Sequence, residues 1–305
     1  MSKSFTKTLK ALFASSRPIQ STLSISQPLF GAFLAVGAVP SPELMILLVI
    51  GSAAGLYAVF SINDLLDYNL DRQMVARRKQ VGFDLDSVLA RHPLTAGLVT
   101  TNEQIAWIIA MGIIAIIILL SLSTTALALF FLAILLEALY CRLALVTEYK
   151  FAFAGAVVAV GVMIGWFAAG GGFAAIPLLL LSGLFFAWEV GGRNIPNDLS
   201  DVEQDKLLGV RTLPSVYGEK TSSLLIALFG FAVLIANIAL GVLLSLGMPY
   251  LVLSTLAGIA FLILPALFLM ANPLPKEALK YFNKASIYPF FLLALLAFVY
   301  GINAP

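Results

Sequence analysis

The sequence predicts an all-α integral membrane protein, a bundle of about nine transmembrane helices capped on its cytoplasmic face by two long loops. Three observations carry that prediction. Hydrophobic residues fill 61% of the 305 positions and charged ones only 11%, far from the balance of a water-soluble domain. The apolar residues gather into nine stretches, each close to the length needed to cross the hydrocarbon of a bilayer. If those stretches alternate in direction, all 18 lysines and arginines fall on one side.

The elements follow in order. Residues 1–21 (MSKSFTKTLKALFASSRP and the start of the next segment) lack the unbroken apolar run and cleavage site of a signal peptide. With Lys3, Lys7, Lys10 and Arg17 they read as a basic amphipathic segment lying on the cytoplasmic surface. Spans 1 and 2 are expected at 22–40 and 43–64, joined by VPSPE. The first cap loop, 65–103, carries Arg72, Arg77, Arg78, Lys79 and Arg91. Within it, Leu85, Val88 and Leu89 with Asp84 and Asp86 suggest a short helix over the bundle. Spans 3 and 4, at 104–121 and 124–141, are joined by LSTT and followed by Arg142 and Lys150. Spans 5 and 6, at 151–169 and 172–192, are joined by GGGF.

The second cap loop, 193–221, holds Arg193, Lys206, Arg211 and Lys220. Pro196 is expected to break span 6 and let an acidic helix restart at the membrane surface. Spans 7 and 8, at 222–246 and 249–271, are joined by GMP. Lys276, Lys280 and Lys284 precede span 9 at 286–303. The loops of the opposite side contain no lysine or arginine, so the basic face and the N-terminus are assigned to the cytoplasm. One missed helix would scramble this pattern, and no linker divides the chain. Residues 1–305 are therefore read as a single transmembrane domain.

Several classes of function drop out. Cys141 is the only cysteine, so one chain has neither a disulfide nor a thiolate metal site. No nucleic-acid motif, Walker loop or dinucleotide glycine pattern occurs. Membrane lipids are the expected surroundings, and no obligate protein partner is evident.

Two acidic motifs share one spacing. The first is Asn63-Asp64 with Asp67 and Asp71, and the second is Asn197-Asp198 with Asp201 and Asp205. Offsets of 0, 3 and 7 line three carboxylates along one helix face, where they repel one another unless cations intervene. A solvated helix end or an N-cap explains one such aspartate but not six at matched spacing. Asp64, Asp67, Asp71, Asp198, Asp201 and Asp205 are therefore the candidate metal ligands and catalytic residues. Mg²⁺ fits, because it takes about six oxygens and commonly pairs one or two carboxylates with ligand phosphates. Six aspartates bring about −6 and a diphosphate about −3, against roughly +4 from two Mg²⁺. Arg72, Arg77, Arg78, Lys79, Arg91, Lys206 and Arg211 supply further positive charge.

A diphosphate at the mouth of an apolar bundle points to an isoprenoid diphosphate. Tyr68, Tyr140, Phe185, Phe186 and Trp188 are placed to cradle an allylic cation, although core packing or an interfacial belt accounts for most of them. Glu137 and Glu189 are acids inside spans; Glu189 stands four residues before Arg193, the spacing of a helical ion pair. His92 is the lone histidine, read as a solvated loop residue or, beside Arg91, a phosphate contact.

At these residues the chain resembles the UbiA superfamily of intramembrane prenyltransferases. The resemblance rests on Arg17-Pro18, NDLLDYNLD at 63–71, HPLTAG at 92–97, Tyr140 late in span 4, and NDLSDVEQDKLLGVRTLP at 197–214. It implies an all-helical, Mg²⁺-dependent enzyme that joins a polyprenyl group from its diphosphate to a lipid-soluble or aromatic acceptor, as in quinone or membrane-lipid biosynthesis. It also implies that Asn63 and the six aspartates hold metal and diphosphate, with Arg72, Lys206 and Arg211 as phosphate contacts. Three departures stand out. About 20 residues separate Asp71 from HPLTAG. His92 stands where the family usually has arginine, with Arg91 one residue away. The tyrosine-to-lysine pattern after span 4 is irregular, with Arg142 and Lys150 as candidates. Three rivals stand against it: a CDP-alcohol phosphotransferase, whose D-G-x-x-A-R element is absent; a transporter or ion-binding protein using the aspartates as cation ligands; and a degenerate, non-catalytic relative that only binds isoprenoid lipids, against which the intact aspartates count.

Overall fold

A computed structural model describes residues 5–75, 89 and 92–302. The expectations for Lys3, Arg77, Arg78, Lys79 and Arg91, and for a short helix around Leu85 and Val88, fall outside those residues. Among the described residues nine helices are long and apolar enough to cross a membrane, as the hydropathy predicts. They are α2 (Pro18–Val36), α3 (Pro42–Leu66), α5 (Thr101–Leu122), α6 (Thr124–Arg142), α7 (Phe151–Ala168), α8 (Ala175–Trp188) continued by α9 (Ile195–Ser200), α11 (Leu213–Leu243), α12 (Gly247–Gly258) continued by α13 (Leu264–Ala271), and α14 (Pro275–Ile302). Three shorter helices, α1 (Phe5–Ser15), α4 (Tyr68–Val75) and α10 (Val202–Leu208), lie outside the spans.

Helix ends differ from expectation where polar residues continue a helix beyond its apolar run. The first span begins at Pro18, not near residue 22, because Arg17 turns left-handed (φ 45°) and Pro18 starts a new helix. Gly37 (φ 68°) ends it, its N–H donating to Phe33 O. The basic amphipathic segment accordingly stops at Ser15, with Phe5, Leu9 and Phe13 exposed. The last span starts at Pro275 because KEALKYFNKAS is helical though polar. The helix-forming stretch of span 7 starts at Leu213 and is kinked at Gly218 (φ 83°, ψ 169°).

Pro196 does not break span 6, contrary to expectation. A π-helical turn, Glu189–Asn194, precedes it, and the Ile195 N–H reaches back five residues to Val190 O. The wider turn accommodates a proline that lacks an N–H and crowds the carbonyl four residues earlier. A second π-helical turn, Ile259–Ile263, stands in the same relation to Pro265. The chain instead breaks at Asp201 (φ −106°, ψ 11°), between α9 and α10.

α2 is central to the bundle and packs on α3, α7 and α14. Where it crosses α7 the two backbones meet: a Cβ on Gly31 would strike Val162 O, and one on Gly165 would strike Pro28 O. Lipid tails are as apolar as leucine, so close backbone packing of this kind, rather than a hydrophobic drive, holds membrane helices together. Elements outside the spans gather at one end. α1 packs on α3, α4 packs on α10, and the Arg211 N–H donates to Ala144 O across 2.9 Å. Gly165→Val should lower stability by about 1–3 kcal/mol, because the obstacle is backbone and cannot move aside. Gly161→Ala on the same helix, where a Cβ meets nothing within 4 Å, should not. Thermal unfolding in detergent separates the two outcomes.

Candidate active site

The first motif is built where α3 ends. Asn63 and Asp64 occupy its last turn, and Asp67 closes it with its N–H on Asn63 O (2.9 Å). The Asp71 N–H then donates to Asp67 O (2.8 Å), so the backbone turns into α4 without losing the spacing of the carboxylates. Asp64 is 1% exposed, and Asp71 is also buried. His92 Nδ1 lies 3.1 Å from Asp64 Oδ1 and 2.9 Å from Asp71 Oδ2. The HPLTAG turn delivers that histidine: Ala96 N–H donates to His92 O, Leu98 N–H to Pro93 O, and Gly97 takes the left-handed φ of 68°. Leu94 and Val99 anchor the turn against Ala11 of α1, with Leu65 and Tyr68 packed alongside.

Asn63 ties α3 to α6 and to the turn that precedes α2. Its Nδ2 donates to Glu137 Oε1 (2.9 Å) and Cys141 Sγ (3.4 Å) on α6, and its Oδ1 accepts from Arg17 Nη2 (3.3 Å). This gives Glu137 a definite partner at the inner edge of the motif.

The second motif lies across from the first. Asp198, Asp201 and Asp205 are all buried. Lys150, at the entry to α7, is buried with Nζ 3.7 Å from Asp198 Oδ1 and 3.4 Å from the Tyr140 hydroxyl. Its ammonium also stands 4.8 Å from the Tyr140 ring centroid, and Asn194 Nδ2 donates to the same hydroxyl (3.1 Å). Thr212 Oγ1 donates to Asp205 Oδ2 (3.2 Å), while Gly209 (φ 70°) and Val210 close α10 on Asp205 O.

Burial raises the Asp67 carboxyl to about 6, reinforced by the Asp71 charge, and Lys150 and Arg17 oppose the rise. Lys150 thus acts on both motifs. Asp205 rises to about 8, through burial first and then the Asp198 charge. Burial disfavours the His92 imidazolium, but the bonds to Asp64 and Asp71 outweigh it and hold the ring up to about 9. At neutral pH the Asp205 and His92 values favour the protonated forms, whereas Asp67 is held nearer the point of ionisation.

The structure does not bring every predicted residue to the carboxylates. Lys206 is exposed and pairs with Glu219 (3.3 Å). Arg211 points both Nε (3.1 Å) and Nη2 (2.8 Å) at Glu148 Oε2, and the Tyr217 hydroxyl donates to Glu148 Oε1 (3.0 Å). These contacts clamp the loop after α10 to the loop after α6. Arg72 is exposed. Glu189 pairs with Arg193 (3.4 Å), as its helical spacing predicts. Phe185 and Trp188 are core residues, Trp188 donating to Ala285 O (2.9 Å). Of the two candidates for the tyrosine-to-lysine pattern, Lys150 is the one that meets Tyr140, whereas its contact with Asp198 and the part played by Asn194 had no signal in the sequence.

The donor set fits a divalent cation. Single ligand atoms of Asp64, Asp71 and His92 lie within 4.8 Å of one another, and Asp64 Oδ2 is buried without a hydrogen-bond partner among the described residues. Asp67 and the second triplet do not converge this closely among those residues. Near the site, an apolar pocket of about 100 Å³, partly open to its surroundings, is lined by α2, α3, α5, α6 and α7. Ser24, Gln27, Leu48, Gly55, Val59 and Gly161 are among its walls, and Val59 stands one helical turn before Asn63.

The raised values fix how the metal-free protein responds to pH. A group whose folded value exceeds its unfolded one stabilises below the unfolded value and loses that contribution as pH rises through the folded one. Asp67 and Asp205 lose it from about 4 upward, through about 6 and 8, and His92 through about 9. The thermal midpoint of the metal-free protein should therefore fall between pH 5 and pH 8.5, and Asp205→Asn should flatten the fall. A midpoint that climbs over that range would contradict these assignments.

Comparison with known proteins agrees with this architecture. The model of the UbiA prenyltransferase family matches residues 25–300. Digeranylgeranylglyceryl phosphate synthase of Thermococcus sibiricus is 28% identical, over 96% of this chain and 97% of that protein. 4-Hydroxybenzoate octaprenyltransferase of Haemophilus ducreyi is 26% identical, over 93% and 97%. The structure of a UbiA homolog from Archaeoglobus fulgidus bound to DMAPP and Mg²⁺ superposes with a TM-score of 0.70 at 16% identity, covering 95% of this chain and 99% of that one. With that family match spanning nearly its whole length, this multi-pass membrane chain belongs to the UbiA prenyltransferase family.

Proposed function

We propose that this protein transfers a prenyl group from an isoprenoid diphosphate to a lipid-soluble or aromatic acceptor, with Mg²⁺, at the cytoplasmic face of the membrane. One observation carries the reading: two buried aspartate motifs, coupled through Lys150, stand at one end of the bundle beside an apolar cavity. The position at one end disfavours the transporter alternative, whose sites sit near the midplane at broken helices. The relatives act with different prenyl groups and acceptors according to their names. The acceptor here is therefore proposed only as a class, and the cytoplasmic assignment follows from the distribution of lysine and arginine.

Asp64, Asp67 and Asp71 from one motif, with Asp198, Asp201 and Asp205 from the other, would hold the cation and its diphosphate. Mg²⁺ bound there supplies positive charge to the departing diphosphate as the allylic C–O bond ionises. Lys150 and Arg17 would add fixed positive charge, and Lys150 is positioned for that by Tyr140 and Asp198. The Tyr140 ring, turned toward Lys150, closes the site near α6. The apolar cavity would take the hydrocarbon chain and exclude water from the carbocation.

Two experiments test the reading. Purified protein with Mg²⁺, labelled geranylgeranyl diphosphate and a panel of acceptors should yield a prenylated product identified by mass. Asp64→Asn or Asp198→Asn should each cut the rate by about 100-fold or more; full turnover in both variants would sink the mechanism. Gly161 faces open space on the cavity wall. Gly161→Phe should fill the cavity and shift preference toward a shorter isoprenoid diphosphate, read as a change in the ratio of kcat/KM between two chain lengths.

A further inference from the structure

The donor set at the first motif is not all oxygen. His92 reaches both Asp64 and Asp71 through the same nitrogen, Nδ1. That nitrogen can carry only one proton for two carboxylates: it is hydrogen-bonded to Asp64 Oδ1, while Asp71 Oδ2, 2.9 Å away, and Asp64 Oδ2 are left buried with no hydrogen-bond partner among the described residues. A divalent cation resolves this arrangement better than a proton does, since it can accept all three side chains at once. The histidine is also held independently of the carboxylates. Its carbonyl accepts from Ala96 N–H, Pro93 follows it directly, and Leu94 is packed against Ala11.

We propose that His92 is itself a ligand, through Nδ1, of the divalent cation held by Asp64 and Asp71. The inference rests on the reading of this site as one that binds a divalent cation, and it specifies the donor chemistry. Carboxylate and water ligands suit Mg²⁺, Ca²⁺ and Mn²⁺, whereas imidazole raises affinity for first-row transition metals. The first motif is therefore a mixed nitrogen–oxygen site that binds Mn²⁺ more tightly than Mg²⁺. The second motif, built from Asp198, Asp201 and Asp205, offers oxygen alone from its aspartates.

The chain contains a single histidine, which makes the test direct. Full-length, tag-free protein in detergent is loaded with Mn²⁺ and measured by pulsed electron paramagnetic resonance for ¹⁴N coupling of the imidazole type. The expected result is coupling in the wild type and in Asp198→Asn, and its loss in His92→Gln and His92→Ala. His92→Gln should also lower the Mn²⁺-over-Mg²⁺ preference in competition by about tenfold. Bound Mn²⁺ without nitrogen coupling in the wild type overturns the proposal whatever the variants do, and so does coupling that survives loss of the histidine. Prenyl transfer with Mg²⁺ is assayed on the same samples. Transfer without nitrogen coupling sinks the ligand role and spares the proposed function; coupling without transfer supports the ligand role and sinks the proposed function.

Discussion

Mutual repulsion among buried carboxylates at one end of an apolar bundle governs the rest of this structure. Asp64, Asp71, Asp198, Asp201 and Asp205 are all buried, and each charge withdrawn from water costs several kcal/mol unless it is answered. Different groups answer different members. His92 bridges Asp64 and Asp71, Lys150 faces Asp198, and burial raises the proton affinity of Asp67 and, further, of Asp205. Hydrogen-bonded neighbours hold these groups in place, as with Asn63 between Arg17 and Glu137, or Tyr140 between Lys150 and Asn194. A site assembled from such opposed charges is set up to exchange protons for cations rather than to stabilise the fold.

The bundle must bring these groups close while remaining soluble in lipid, and its backbone irregularities serve that end. The π-helical turn before Pro196 accommodates the proline and keeps the segment helical as far as Ser200. Asp198 therefore lies on a helix anchored in the core, beside Leu199 and Ile195, which are fully buried. At the opposite side of the site, Arg17 in its left-handed turn marks the junction of α1 with α2 and reaches Asn63. Gly31 and Gly165 let α2 and α7 approach closely, and α7 is the helix that begins beside Lys150. Packing by small residues within the membrane and charge placement at its edge are thus parts of one arrangement.

How much was legible from sequence depended on the range of the physics. Hydropathy is a local property, so nine spans could be read directly, although it missed the polar starts of α11 and α14. The carboxylate spacing is also local, and it identified both motifs. Pairings that depend on how loops fold back were not legible. Lys206 and Arg211 read as phosphate contacts because they follow the second motif, yet they lie against Glu219 and Glu148. His92 read as solvated or as a partner of phosphate, yet the turn it heads carries it onto Asp64 and Asp71. Lys150 and Arg142 were both candidates for the lysine that follows Tyr140, and the choice between them needed the fold, which sets Lys150 against Tyr140 and Asp198.

The Glu148 cluster shows why a pairing that seems merely structural bears on the chemistry. α10 is only a short helix after the break at Asp201, so α9 alone does not fix the direction of Asp205. Arg211 and Tyr217 converge on Glu148, and the Arg211 N–H binds Ala144 O, which joins the far side of α10 to the chain between α6 and α7. That same chain presents Lys150 two residues after Glu148. The clamp therefore ties the chain that carries Lys150 to the chain that follows the second motif, although Glu148, Arg211 and Tyr217 pair with one another and not with its aspartates. Rigid placement is what charge stabilisation requires, because a dipole or cation that must reorganise during the reaction gives back part of what it contributes.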